Sequence, residues 1–450
     1  MTACTFAFRA AVLAWAFACA GAAAQTRPAA PPATLPAETA ARVRELVAKL
    51  AADDWQTRQE AQERLVRMGA VIRDELRAVL AQTADEESRT RIEAALRQIE
   101  DNRLTGTSMI TLRLRGASPR EAFAQLSRQA GADLRPNPPD LWDSRQWPAA
   151  DIEIEHQPFW TALRELCSKF GVSPQNSGFS RDMVIAAGAS GHPLMGRAPQ
   201  VVSGPFLVVA TYIHANYSVD LNNPQNVNRN CNLQLMVCPE PKLRVLQGSY
   251  QAILEEAVDD KGNSLINPAM MAAQMHGLQP GSGNIWNLSA YLAVKGEGAR
   301  KIARLKGRAR FVIQTRAEEA EVADIVNARN VTRTVGGRKF LIKETRYTPN
   351  GPCQVFVTVY RPGWSPIEWS QISQTAALRL ADADGNSWFR THAATTRSSN
   401  DEIDLTLHFQ RINWNGANAV GEPASLIIEV PLETEELTVP FEFVDLPLPT

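Results

Sequence analysis

The stretch AVDDKGNSL at residues 257–265 returns, nearly copied, as ADADGNSW at residues 381–388. Each copy carries an acid, a glycine and an asparagine in the order a tight hairpin turn requires. The acid bonds nearby backbone N–H groups, and the glycine supplies a positive φ. A second matched pair follows: FVIQTRAEEAEV (311–322) parallels IIEVPLETEELTV (427–439). Residues 199–450 otherwise alternate apolar and polar side chains, the period of a strand with one face buried. The two copies predict two tandem antiparallel β-sandwiches, 199–322 and 323–450. Each has an Asp/Gly/Asn hairpin in its middle and a strand pair at its end. In the first, 204–221 and 231–238 read as strands, and the polar run 222–230 between them reads as a loop.

A second internal repeat lies upstream. Leu112 and Leu114, then Ala122, Phe123, Leu126 and Gly131, recur as Ile152 and Ile154, then Ala162, Leu163, Leu166 and Gly171. Each set is an alternating strand, a helix with three- and four-residue apolar spacing, and a glycine suited to the helix C-terminus. Two consecutive βαβ units over 107–190 follow from this pattern, with Met183 to Ala187 as a further strand. Residues 37–103 are helical throughout and hold a third repeat. Asp54, Arg58, Ala61 and Leu65 recur as Asp85, Arg89, Ile92 and Leu96. The acid suits a helix N-cap, and Gly69 suits a stop between helices. Stacked helix pairs of this period predict a short α-solenoid. The fold class expected is therefore multidomain α+β, with solenoid-like helices, two βαβ units and two tandem antiparallel β-sandwiches.

Near its start the chain carries Arg9, an apolar run from Ala10 to Ala20, and small residues up to Ala24. That order reads as a secretory signal over 1–24, cut after Ala24. The apolar run is shorter than the ~20 residues of a membrane span. No later run is longer, so no membrane span is expected in the mature chain. A Pro/Ala tether occupies 25–36. The expected location is periplasmic or secreted.

Three resemblances accompany these readings. The helical repeat resembles HEAT-like repeats. SPREAFAQLSRQAGADL (118–134) is similar to the short βαβ domains at the periplasmic ends of secretins and TonB-dependent receptors. That likeness extends over about 107–190. It implies a domain that binds or stacks against other proteins, and it brings no catalytic position. The whole layout, ending in PFEFVDLPLP, resembles uncharacterised exported bacterial proteins, which implies a layout and no activity.

Candidate sites are few. The net charge is −1 with both signs dispersed, which argues against a nucleic-acid partner. Asp382-Ala383-Asp384-Gly385 departs from an EF-hand loop, because its glycine comes early and Ala393 stands where the closing Glu belongs. A turn explains it better. Met270, Met271, Met275 and His276 fit a helical turn packed on a sheet as well as a soft-metal site. The six histidines show no metal pair at helical spacing, and Cys167, Cys231, Cys238 and Cys353 form neither a zinc pattern nor a disulfide framework. Cys231 and Cys238 should point to opposite faces of one strand. No metal and no cofactor are expected. Trp388 stands where the other copy has Leu265 and should be core. Trp364 and Trp369 lie in a Pro/Gly-bounded stretch and are the candidate binding residues, since aromatic faces stack on sugars and anchor interfaces.

These readings together favour a non-catalytic exported envelope protein that binds protein partners. One alternative is a cell-wall polysaccharide-binding protein acting through Trp364 and Trp369. Another is a hydrolase whose site is built from β-domain loops.

Overall fold

The computed structural model describes residues 37–176, 183–188, 192–266, 277–280, 285–293, 298–360, 378–399, 401–411 and 420–449. The fold is mixed α+β, mostly antiparallel sheet, with its helices toward the N-terminus. Residues 1–36, including the expected signal and tether, lie outside the described residues.

Helices α1 (Ala37–Lys49), α2 (Trp55–Met68), α3 (Arg73–Gln82) and α4 (Glu86–Thr105) form two hairpins, with α2 against α4. The repeated acids are N-caps: Asp54 accepts from the Thr57 N–H at 2.7 Å and Asp85 from the Ser88 N–H at 2.8 Å. Hydrogen bonds from Thr57 and Ser88 hold both carboxyls below the ordinary carboxylate range. The repeated arginines reach back over the preceding loop. Arg58 donates to the Ala52 and Asp53 carbonyls and Arg89 to that of Thr83. Each Asp-x-x-x-Arg thus ties down one helix start at two points. Ala61, Leu65 and Ile92 line the core between the hairpins, and Leu96 is half-buried against it.

The next elements are β1 (Met109–Ala117), α5 (Pro119–Ala130), β2 (Leu134–Asn137), β3 (Ala150–Pro158), α6 (Phe159–Phe170), β4 (Val172–Asn176) and β5 (Met183–Ala187). Strands that flank one helix do not share a sheet. β1 pairs antiparallel with β3, and β5 takes β2 in parallel on one side and β4 antiparallel on the other. Residues equivalent in the repeat become cross-strand partners, Leu112 with Ile154 and Leu114 with Ile152. The helices are apolar enough to be covered from both sides. In α6 Phe159, Trp160, Ala162, Leu163, Leu166, Cys167 and Phe170 are all buried. The core therefore draws on both small sheets, Ile110 and Ile154 from one and Met183 and Ile185 from the other.

The β region comprises β6 (Gln200–Ser203), β7 (Phe206–Asp220), β8 (Asn223–Pro239), β9 (Arg244–Ser249), β10 (Ile253–Asp259), β11 (Leu278–Pro280), β12 (Trp286–Ala293), β13 (Lys301–Ala323), β14 (Arg329–Val335), β15 (Arg338–Tyr347), β16 (Cys353–Tyr360), β17 (Leu378–Asp382), β18 (Phe389–Ser398), β19 (Glu402–Gln410) and β20 (Pro423–Pro447). One sheet runs β12-β8-β7-β6 and another β14-β15-β16-β19-β18. Between them in the chain's logic stands a sheet ordered β11-β9-β13-β20-β17, with β10 also on β13. The run Phe206 to Ala210 is buried on both faces. Phe206, Val208 and Ala210 enter one core, while Leu207 and Val209 pack against the βαβ helices. Cys231 and Cys238 of β8 divide between the same two cores, hence opposite faces of one strand.

Two expectations need correction. The polar run 222–230 is not a loop. Asn223 pairs with Asp220, Val227 with Val219 and Asn230 with Asn216, so the chain turns at Leu221-Asn222 and returns as β8. Backbone pairing does not require apolar side chains where a hairpin runs past its core, and Leu221 is 89% exposed.

The second correction concerns the division at 322/323. The segments 311–322 and 427–439 are not separate terminal strand pairs. They belong to β13 and β20, which pair with each other from Lys301↔Pro447 to Ala323↔Ser425. The first part of β13 and the last part of β20 (Val439, Phe441, Phe443, Leu446) share one core with Phe206 and Leu233. The far ends, Val322 with Leu426, Ile428 and Val430, share the other core with Val355 and Leu407. The two repeats thus exchange their last strands reciprocally. Both strands stay extended and paired along this whole length, so neither folds back into its own half. Pro431 and Pro440 lie past the end of β17, where β20 has a neighbour on one side only, the position that tolerates a missing N–H.

Candidate docking groove

Helix α5 begins at the Ser118 N-cap with Pro119 in its first turn and ends at Gly131 in the left-handed conformation. Its spacing turns Ala122, Phe123, Leu126 and Ala130 into the core. Arg120, Ala124, Ser127 and Arg128 are left on the flank beside β2, which pairs with β5 alone and is an edge strand. Ser127 fastens helix to strand: its hydroxyl donates to the Ala132 carbonyl and accepts from the Leu134 N–H.

The connection after β2 completes a wall. Trp142 stacks on Phe123 with ring centroids 5.5 Å apart, and Trp147 meets Trp142 edge-on at 5.4 Å. The Trp147 indole N–H donates to the Leu141 carbonyl, and the Arg145 guanidinium lies 3.8 Å from the Trp147 ring centroid. Between α5, β2 and Trp142 is an open groove of about 420 Å³. Phe123, Leu134, Pro136, Pro139 and Trp142 give it an apolar lining, and Arg120 and Arg128 stand on its rim. Arg120 is paired with Asp143 at 2.5 Å. Arg128 is exposed and has no hydrogen bond or ion pair among the described residues.

A smaller cavity of about 230 Å³ lies between the 3-10 turn Pro193–Met195 and the paired strands β7 and β8. His192 lines it. Burial pushes this imidazole down to about 4, so it is neutral at physiological pH, with Nδ1 accepting from the Leu194 N–H and the ring stacked near Trp160. It reads as a packing group.

A buried ion pair anchors the groove-bearing region. Glu240 accepts from the Ser108 N–H at 3.0 Å and lies 3.4 Å from the Lys242 ammonium. Lys242 in turn donates to the Arg103 and Gly106 carbonyls at the end of α4. Burial raises the Glu240 carboxyl and lowers the Lys242 ammonium, opposing their mutual attraction.

Other sequence candidates fall as follows. Trp364 and Trp369 lie outside the described residues, as do Trp414, Met270, Met271, Met275 and His276. Trp388 is buried, with its indole N–H on the Gly421 carbonyl, and Leu265 is buried at the matching place. Both Asp/Gly/Asn stretches are tight turns. Asp259 accepts from the Lys261 and Asn263 N–H groups and the Asn263 amide, with Gly262 at φ 83°. Asp382 accepts from the Asp384, Asn386 and Gly421 N–H groups and the Asn386 amide, with Gly385 at φ 80°. Cys167, Cys238 and Cys353 are pushed up to about 12 by burial and Cys231 to about 11, so all four remain neutral thiols.

The structure also joins residues that sequence spacing did not. His392 on β18 lies opposite His408 on β19, with parallel rings 3.9 Å apart. The groove has a signal in the sequence, the stretch PNPPDLWDSRQW (136–147), where two tryptophans and three prolines crowd one connection. Comparison with protein-family models, curated proteins and solved structures gives no match.

Proposed function

We propose that this chain is a non-catalytic, exported cell-envelope protein that binds protein partners, and that the α5/β2 groove is a docking site. The observation that carries this reading is the groove's composition. It has an aromatic and proline lining beside one exposed arginine that has no counter-ion among the described residues. The occupant it fits is an extended peptide segment of another protein. An apolar side chain would cover Pro139 and Trp142, and a carboxylate would meet Arg128. Support comes from the likeness of 107–190 to the docking domains of secretins and TonB-dependent receptors, and from the export signal read at 1–24. The layout we infer around it is a HEAT-like helical region and two β-sandwiches that exchange their last strands.

A peptide array tests the reading. The mature chain should retain peptides that place Asp or Glu near an aromatic or aliphatic residue. Arg128→Glu should lose the acidic peptides, and Trp142→Ala should lose the whole set. Retention that is indifferent to both substitutions, or no retention at all, overturns the proposal. Hydrolase activity toward a cell-wall substrate in the purified chain would overturn the non-catalytic part.

A further inference from the structure

We infer that His392 and His408 form a two-imidazole site for a divalent transition-metal ion, with Cu²⁺ the preferred occupant. The two residues are direct cross-strand partners near the start of β18 and the end of β19. Their rings are 3.9 Å apart between centroids and inclined by only 14°. His392 is exposed and His408 is half-buried, so the pair opens to solvent on the outer face of its sheet.

The tautomer of the neutral His392 ring follows from a hydrogen-bond count. The Thr391 hydroxyl donates to the His408 carbonyl at 3.2 Å, which uses its only proton. The same oxygen lies 3.2 Å from His392 Nδ1. It can only accept there, so the neutral ring holds its proton on Nδ1 and leaves the lone pair on Nε2. A ring that donates through one nitrogen to a fixed acceptor while the other stays open is how protein imidazoles are set for metals. At His408 it is the Gln354 amide nitrogen that lies 3.3 Å from Nδ1 and donates to it; turning that amide over puts its oxygen there instead, where it accepts an Nδ1 proton and leaves Nε2 open.

The surrounding charge does not oppose a cation. The arginine one strand beyond Gln354, Arg346, is paired with Glu344 at 2.5 Å and lies over the Phe356 ring. Further along the same face Lys343 is paired with Asp404 at 2.8 Å. Metal–imidazole bonds are about 2.0–2.1 Å, so two cis nitrogens sit roughly 3 Å apart. As stacked, the two ring planes run side by side and their in-plane lone pairs do not converge, so binding requires side-chain rotations that open the stack and turn both Nε2 atoms toward one point. Two nitrogens with water completing the sphere suit tetragonal Cu²⁺, which also leads the affinity order of the divalent series. Strand pairing makes the site, and the separation of the two histidines in the chain hides it.

The test is titration of tag-free mature protein with CuSO₄, followed by electron paramagnetic resonance and calorimetry. One Cu²⁺ per chain with nitrogen hyperfine structure is expected. His392→Gln and His408→Gln should each lower that affinity at least tenfold, while His214→Gln should leave it unchanged. Thr391→Val removes the acceptor that orients His392 and should weaken binding by roughly tenfold. Thermal melts of each variant establish that it is folded. A wild type that takes up no Cu²⁺ overturns the inference. So does uptake that survives either histidine substitution in a folded variant.

Discussion

Phe441, nine residues from the chain's end, lies directly opposite Gly307 across β13 and β20, and its ring fills the space where a side chain on Gly307 would stand. A Cβ built on Gly307 would fall 2.8 Å from the Phe441 ring and 2.8 Å from the Ile253 carbonyl. This glycine serves close approach rather than a turn. It lets the last strand of one repeat close the core of the other.

Gly307→Val should therefore destabilise the protein by about 1–3 kcal/mol, the usual cost of overpacking. Urea denaturation followed by tryptophan fluorescence measures it. Truncation after Leu437 should do more, because it removes Val439, Phe441, Phe443 and Leu446 from the core they share with Phe206. Hydrogen exchange should then rise in Phe206 to Ala210, more than two hundred positions earlier in the chain. If those amides stay protected, the strand exchange does not hold the first core together.

Asp382 ties its turn with four N–H bonds. Burial raises its carboxyl, but the bonds from Asn386, Gly421 and Asp384 outweigh this and hold it below the ordinary value. A depressed folded pKa gives stability that is present above the unfolded value, near ~4, and is lost as pH falls through the folded one. Asp382→Asn turns an N–H donor toward other donors and should cost about 1–3 kcal/mol at pH 7. The gap between wild type and variant should narrow below pH ~4. A gap that is constant with pH would mean the charge contributes nothing.

Arg390 faces inward beside Phe409, is 6% exposed, and its Nε and Nη1 have no hydrogen-bond partner among the described residues. Burial pushes its guanidinium down to about 10. An unpaired buried charge is costly, and well-packed apolar replacement of buried ions has stabilised other proteins by about 1–4 kcal/mol. Arg390→Met should raise the melting temperature. A lower one would show that the guanidinium is matched in solution.

Removing only the acid of the Glu240–Lys242 pair strands a buried ammonium at the end of α4. Glu240→Ala should cost about 3–5 kcal/mol, and Glu240→Ala with Lys242→Met should recover much of that. Additive losses in a double-mutant cycle would contradict the coupling. Limited proteolysis near Thr105 gives a second readout, since Lys242 holds the Arg103 and Gly106 carbonyls.

Thiol reactivity checks the cysteines. All four described thiols are buried and pushed well above neutral pH, so a maleimide should label them only on unfolding.

Local chemistry was legible in the residues themselves. The Asp54 and Asp85 caps, the Gly131 and Gly171 helix ends and the two Asp/Gly/Asn turns are contacts among near neighbours, so a short stretch contains all the atoms that decide them. The α5/β2 groove was half legible, through Trp142 and Trp147 in a proline-rich connection, but the stacking of Trp142 on Phe123 needed α5 beside β2.

The copied Asp/Gly/Asn stretches form the same tight turn in both repeats. What the sequence by itself determined is how each copy is built locally. Only the tertiary structure decided where the copies meet, because strand partners are chosen by backbone hydrogen bonds and shared apolar burial between segments far apart. Periodicity marks β13 and β20 as strands with a buried face. It carries no record of the partner, and so cannot reveal that Phe441 closes the core of the other repeat or that His392 faces His408.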